Sequence, residues 1–202
     1  MLRHMLGSPS LVLGVLLIPS VGLGHAQETA PSPAAVKNSG PILRLAPGSP
    51  APEFALESVN GESVRLSDFH GQTVLIHFWA TWCGPCKITM PWLVDLQGKY
   101  SARGFRVLAV ALDDDATKVE IGEFADQLHV NFPVLIGSEK VADAYGGIPA
   151  MPESFLVSRE GRIVERVVGI TSKGEVEKSV RTALNARAAD AGPTPAASQA
   201  QK

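Results

Sequence analysis

Thr73-Val74-Leu75-Ile76-His77-Phe78-Trp79-Ala80-Thr81-Trp82-Cys83-Gly84-Pro85-Cys86 is the stretch that decides the fold. Its first half is apolar on both alternating faces, as a central strand covered by helices on two sides must be. The strand runs out at Ala80, and a helix opens near Cys83, carries Ile88, Leu93, Leu96 and Tyr100, and ends by Gly104. Pro91 falls inside that helix. It removes one backbone donor and is expected to kink the helix rather than end it, because the apolar spacing continues beyond it. The cysteines therefore lie two residues apart at a strand-to-helix junction.

Working outward, Phe54–Ser58 and Glu62–Leu66 flank Asn60-Gly61, the strongest short hairpin signal. Phe105–Leu112 reads as a second buried strand, and Lys118–Leu128 as a helix with Val119, Phe124 and Leu128 inward. Phe132–Ile136 is a short run before a helical turn through Val141, Ala144 and Tyr145. Glu153–Val157 and Ile163–Gly169 flank a turn at Arg159-Glu160-Gly161-Arg162, and Val176, Val180 and Leu184 recur at helical spacing. This order predicts an α/β domain, a mixed sheet sandwiched between helices.

The domain occupies residues 51–186. Before it, Leu11–Ile18 is an apolar run that follows Arg3 and His4, breaks at Pro19 and reaches small residues at Gly24-His25-Ala26. This is the layout of a secretory signal peptide over residues 1–26, cleaved after Ala26 or retained as an anchor. Residues 27–50 are rich in Pro and Ala and read as a tether. Residues 187–202 read as a disordered tail.

The chain is 45% hydrophobic and 19% charged, with a formal charge of −2, which removing the signal segment makes more negative by one. The apolar share excludes a disordered chain, and the charge gives no basis for nucleic acid as a partner. Two cysteines can build neither a disulfide scaffold nor a four-thiolate zinc site. Their spacing carries the chemistry. A thiol at a helix N-terminus meets unpaired amides and the positive end of the helix, which favour thiolate and lower its pKa from about 8.5. Cys83 is thus the expected nucleophile on a disulfide, and Cys86, one turn further in, the thiol that resolves the mixed disulfide. A static disulfide, a reduced inert pair and a two-thiolate metal pair are the alternatives. The first adds little stability across so short a loop, and the last is an incomplete ligand set.

The motif Trp82-Cys83-Gly84-Pro85-Cys86 behind a buried strand, with Pro91 five residues beyond it, resembles the active site of the thioredoxin superfamily. Pro50-Ala51-Pro52-Glu53-Phe54, Val64–Gly71, Val107–Asp113 and Phe132-Pro133-Val134-Leu135 resemble its TlpA/ResA-type exported branch, which includes the cytochrome c maturation thioredoxins. The resemblance implies a thioredoxin-like three-layer α/β/α sandwich with an N-terminal β-hairpin. It also implies that Met151-Pro152 is a cis peptide opposite the cysteines, with the Met151 backbone left free to pair with a substrate strand. Trp82, Gly84, Pro85, Met151 and Pro152 would then shape the site, and Glu153 would be an acidic neighbour. Two positions depart from the family. A buried Asp is replaced by His77, and a Glu three residues after the second cysteine is replaced by Thr89. His77 or Glu153 is then the candidate proton acceptor. His77 reads equally as a neutral core histidine.

The resemblance implies an exported or periplasmic thiol-disulfide oxidoreductase with no cofactor, no metal and no stable small-molecule ligand. Its partners would be proteins bearing disulfides and a membrane-embedded electron donor. Gly84-Pro85 between the cysteines implies a comparatively reducing couple. Two other functions compete. A peroxiredoxin-type thiol peroxidase lacks its usual proline upstream of Cys83, and a copper(I) carrier of this family spaces its cysteines by three residues rather than two.

Overall fold

The structure, a computed structural model, describes residues 45–186 of the 202-residue chain. The signal segment, most of the tether and the tail lie outside the described residues. The fold begins earlier than the sequence suggests. Leu45 is buried, Gly48 donates to the Ile163 carbonyl at 2.7 Å, and Ile163 donates back to Ser49 at 2.8 Å. Leu45–Pro50, assigned to the tether by composition, is therefore tied to the domain by an apolar anchor and backbone hydrogen bonds.

The elements run β1 (Ala55–Glu57), β2 (Ser63–Arg65), β3 (Thr73–Trp79), α1 (Gly84–Tyr100), β4 (Phe105–Ala111) and α2 (Lys118–Gln127). They continue with β5 (Val134–Ile136), α3 (Glu139–Ala144), β6 (Glu153–Val157), β7 (Ile163–Val168) and α4 (Lys173–Asn185). β1 and β2 form the expected hairpin as a separate two-stranded sheet. Its loop is Val59-Asn60-Gly61, closed by Ser58 and Glu62, with Gly61 at φ 85° where a side chain would be strained.

The central sheet has the order β5-β4-β3-β6-β7, parallel across β3, β4 and β5 and antiparallel at β6 and β7. From β3 to β4 to β5 the chain steps twice in one direction. Right-handed crossovers therefore lay both α1 and α2 on one face. There Met90, Leu93, Leu96, Ile121, Ala125, Val180 and Leu184 pack on Leu75, Trp79, Ala109 and Leu156. The other face, with Val74, Ile76, Phe78 and Phe155, is covered by α3 and the hairpin through Val141, Tyr145, Phe54 and Leu66. Full burial of one such side chain contributes about 1.5–3 kcal/mol.

Two expected core residues point outward: Ile88 is 53% exposed and Val119 68%. Each is two residues from a buried neighbour, Met90 and Ile121, and so about 200° around the helix at 100° per residue. α1 runs through Pro91 without ending and closes at Tyr100, one short 3-10 turn before Gly104. Gln97 is buried on α1 because its Oε1 accepts the Val107 amide at 2.8 Å. That amide lies beyond the short β5, which pairs only with Ala109–Ala111.

Candidate functional site

At the carboxyl end of β3, Ala80–Trp82 turns the chain into α1. Asp113, just past the neighbouring parallel strand β4, accepts the Thr81 amide at 3.0 Å and the Thr81 hydroxyl at 2.6 Å. This clasp fixes the loop that presents the cysteines. It escaped the sequence reading, although a carboxylate at the end of a strand parallel and adjacent to the motif strand was the available signal.

Cys83 is the N-cap of α1, in extended conformation, and its Sγ accepts the Cys86 amide at 3.2 Å. Gly84 and Pro85 form the first turn, where a proline costs no hydrogen bond. Cys83 and Cys86 are joined by a disulfide with Cα atoms 5.3 Å apart. Cys83 is 3% exposed and Cys86 fully buried, while the adjoining Trp82 is 66% exposed. Only the Cys83 side of the bridge reaches the surface.

Met151-Pro152 is a cis peptide. Met151 packs against the apolar cluster that contains both cysteines. The Pro152 carbonyl accepts the Gly169 amide at 2.7 Å. The Met151 amide and carbonyl have no hydrogen-bond partner among the described residues.

The two acceptor candidates separate. His77 pairs with Ser154 across β3 and β6, and Phe78 with Glu153, so His77 and Glu153 lie on opposite faces of the sheet. His77 is on the cysteine face. Its Nδ1 is 2.8 Å from Ser154 Oγ, its Nε2 is 3.4 Å from Thr89 Oγ1, and Thr89 donates to the Cys86 carbonyl at 3.1 Å. Burial lowers its pKa from 6.5 to about 4, so the imidazole is neutral at pH 7.

Glu153 is fully buried on the far face, where Arg166 Nε donates to its Oε1 at 2.5 Å while Oε2 has no partner among the described residues. Its pKa is raised because desolvation outweighs the pairing with Arg166. The structure thus does not bring Glu153 to the cysteines. A residue adjoining Pro152 in sequence turns to the other side of the strand, because successive strand residues alternate.

Thr89, Trp92, His77, Pro152 and Ser154 line a groove of about 580 Å³ between α1, α4 and β7. Among the described residues no three His, Cys, Asp or Glu side chains come together to hold a metal ion.

A reversible dithiol/disulfide at a helix N-terminus supports one chemistry above others, exchange with an incoming thiol or disulfide. Comparison with known proteins agrees. The Redoxin family profile matches residues 46–184. The chain is 36% identical over 131 residues to the thiol-disulfide oxidoreductase ResA of Bacillus thuringiensis, covering 64% of this chain and 74% of the relative. It is 34% identical over 164 residues to ResA of Bacillus subtilis, covering 81% and 86%. A Chlorobium tepidum crystal structure assigned as the thiol:disulfide interchange protein DsbE superposes with a TM-score of 0.65 at 38% identity, covering 69% of this chain and 99% of that one. With the fold, the cysteine pair and these similarities in agreement, the chain belongs to the Redoxin family, as a TlpA/ResA-type thiol-disulfide oxidoreductase of the thioredoxin superfamily.

Proposed function

We propose that this oxidoreductase is an exported reductase of protein disulfides, with Cys83 as nucleophile and Cys86 as resolving thiol. The observation that carries the reading is the asymmetry of the pair. Cys83 caps α1 and is the more accessible residue of the pair at 3% exposure, while Cys86 is enclosed. In the reduced protein the Cys83 thiolate attacks a substrate disulfide, releasing one substrate thiolate. The Cys86 thiolate then attacks Cys83 Sγ and releases the other, leaving the Cys83–Cys86 disulfide. Trp82 and the unpaired Met151 backbone form the docking edge, where an extended substrate segment adds as a strand.

Export rests on the signal-like residues 1–26, and recharging then falls to a membrane-embedded electron donor. The substrate classes that fit an exported reductase are apocytochrome c haem-site cysteines and copper-site assembly proteins. The test is capture on the full chain carrying Cys86→Ser, which holds substrates on Cys83 as mixed disulfides. Apocytochrome or copper-site partners are expected in the periplasmic fraction, and a cytoplasmic protein would overturn the reading. A redox titration against glutathione with a midpoint near about −120 mV, the oxidase end of the scale, would contradict a reductase.

A further inference from the structure

The hydrogen bonds around His77 have a direction. Thr89 has one hydroxyl hydrogen, and it is given to the Cys86 carbonyl, so toward His77 the Thr89 oxygen accepts. The His77 proton therefore sits on Nε2, and Nδ1 accepts from the Ser154 hydroxyl. Three donors in series point from Ser154 through His77 and Thr89 toward Cys86. The same three residues line the groove between α1, α4 and β7, which is large enough to hold water at the outer end of the series.

We propose that Ser154, His77 and Thr89 form a neutral proton relay between Cys86 and this groove. The relay rests on the assignment of Cys86 as the resolving thiol. In the mixed disulfide, Cys86 is a thiol that must lose its proton. The Thr89 hydroxyl sits one helical turn from Cys86 and donates to its carbonyl at 3.1 Å in the disulfide form, and the relay requires it to rotate to the Cys86 sulfur once the disulfide is open. The Cys86 proton passes to Thr89 Oγ1, the Thr89 proton to Nε2, the Nδ1 proton to Ser154 Oγ, and the Ser154 proton to a water or buffer base in the groove. Each relay residue gains one proton and loses one, and within His77 the gain is at Nε2 and the loss at Nδ1. The Cys86 thiolate then attacks Cys83 Sγ, the new disulfide forms, and the substrate leaves as its thiolate.

The orientation left behind, with hydrogen on Nε2 and Ser154 donating to Nδ1, is the one in the disulfide-bonded structure. It points the right way to return a proton to Cys86 when an incoming thiolate attacks Cys83 and Cys86 departs. A buried imidazole that stays neutral cannot store the proton, but it passes one by exchanging tautomers. The charged side chains on the groove's face are Glu165 of β7 and Glu175 and Lys178 of α4, and α1 contributes none; Arg166 of β7 adjoins the groove, but its guanidinium lies on the other face with Glu153.

The test follows the reduced full-length protein mixed with oxidised glutathione, separating glutathionylation of Cys83 from its release by Cys86, in light and heavy water. Ser154→Ala should leave the first phase unchanged and slow the second by ~10²-fold, the lower end of what proton transfer by a positioned side chain contributes. It should also lower the solvent isotope effect, and Ser154→Thr should restore both. His77→Gln, which keeps hydrogen bonding but has no tautomers to exchange, should behave like Ser154→Ala. A Ser154→Ala protein that folds and resolves at the wild-type rate with an unchanged isotope effect would overturn the relay. So would slowing that Ser154→Thr fails to rescue. A wild-type protein that reacts with glutathione but with no protein disulfide would overturn the reductase reading while the relay is still measured. No reaction with either overturns both.

Discussion

The Cys86 amide donates to Cys83 Sγ at 3.2 Å, so one sulfur is both the N-cap of α1 and half of the disulfide. When the disulfide opens, that amide and the helix dipole remain in place to stabilise a Cys83 thiolate. In reduced Cys86→Ser protein, the pH profile of alkylation at Cys83 should therefore inflect below the ordinary ~8.5. An inflection at or above that value would show that capping does not tune the Cys83 thiol.

His77 should leave a mark on stability against pH. Its folded pKa of about 4 lies below the unfolded 6.5, so between these values the unfolded chain binds the extra proton. Stability contributed by this group is complete above about 6.5 and lost as pH falls toward 4, by on the order of 3 kcal/mol over the whole interval. Urea unfolding across that range should show a smaller loss on acidification for His77→Gln than for the wild type. Equal slopes would mean that the imidazole is not buried neutral.

Arg166 is the one ion-pair partner of the enclosed Glu153 among the described residues, and Glu153 Oε2 has no hydrogen bond to fall back on. Arg166→Met should cost more than Glu153→Gln, approaching the ~3–5 kcal/mol of a broken buried pair, less what the partly exposed arginine already shares with solvent. The sign with pH is opposite to that for His77. A carboxyl whose folded pKa is raised favours the fold while protonated and loses that contribution as pH rises. The Arg166→Met penalty should thus shrink on acidification, and a penalty independent of pH would assign the loss to packing instead.

Packing on α1 and α2 can be tested by contrast. Ile88→Gln and Val119→Gln should change unfolding free energy by no more than about 0.5 kcal/mol, whereas Leu93→Ala should cost ~2–5 kcal/mol. A large loss at Ile88 or Val119 would contradict their exposure.

How much of this was written in the chain can be judged residue by residue. Local patterns determined the strand at Thr73–Trp79, the helix opened by Cys83, the Asn60-Gly61 hairpin and the pairing of Cys83 with Cys86, because each depends on neighbours a few residues apart. Alternation and helical periodicity identify an element more securely than they orient it, which is why Ile88 and Val119 were turned inward in the sequence reading. The order β5-β4-β3-β6-β7, the clasp of Asp113 on Thr81 and the company His77 keeps were decided by tertiary structure. Ser154 lies 77 residues from His77 and becomes its partner only through the antiparallel register of β3 with β6. The same register sends Glu153 to the opposite face, because one step along a strand reverses the side chain.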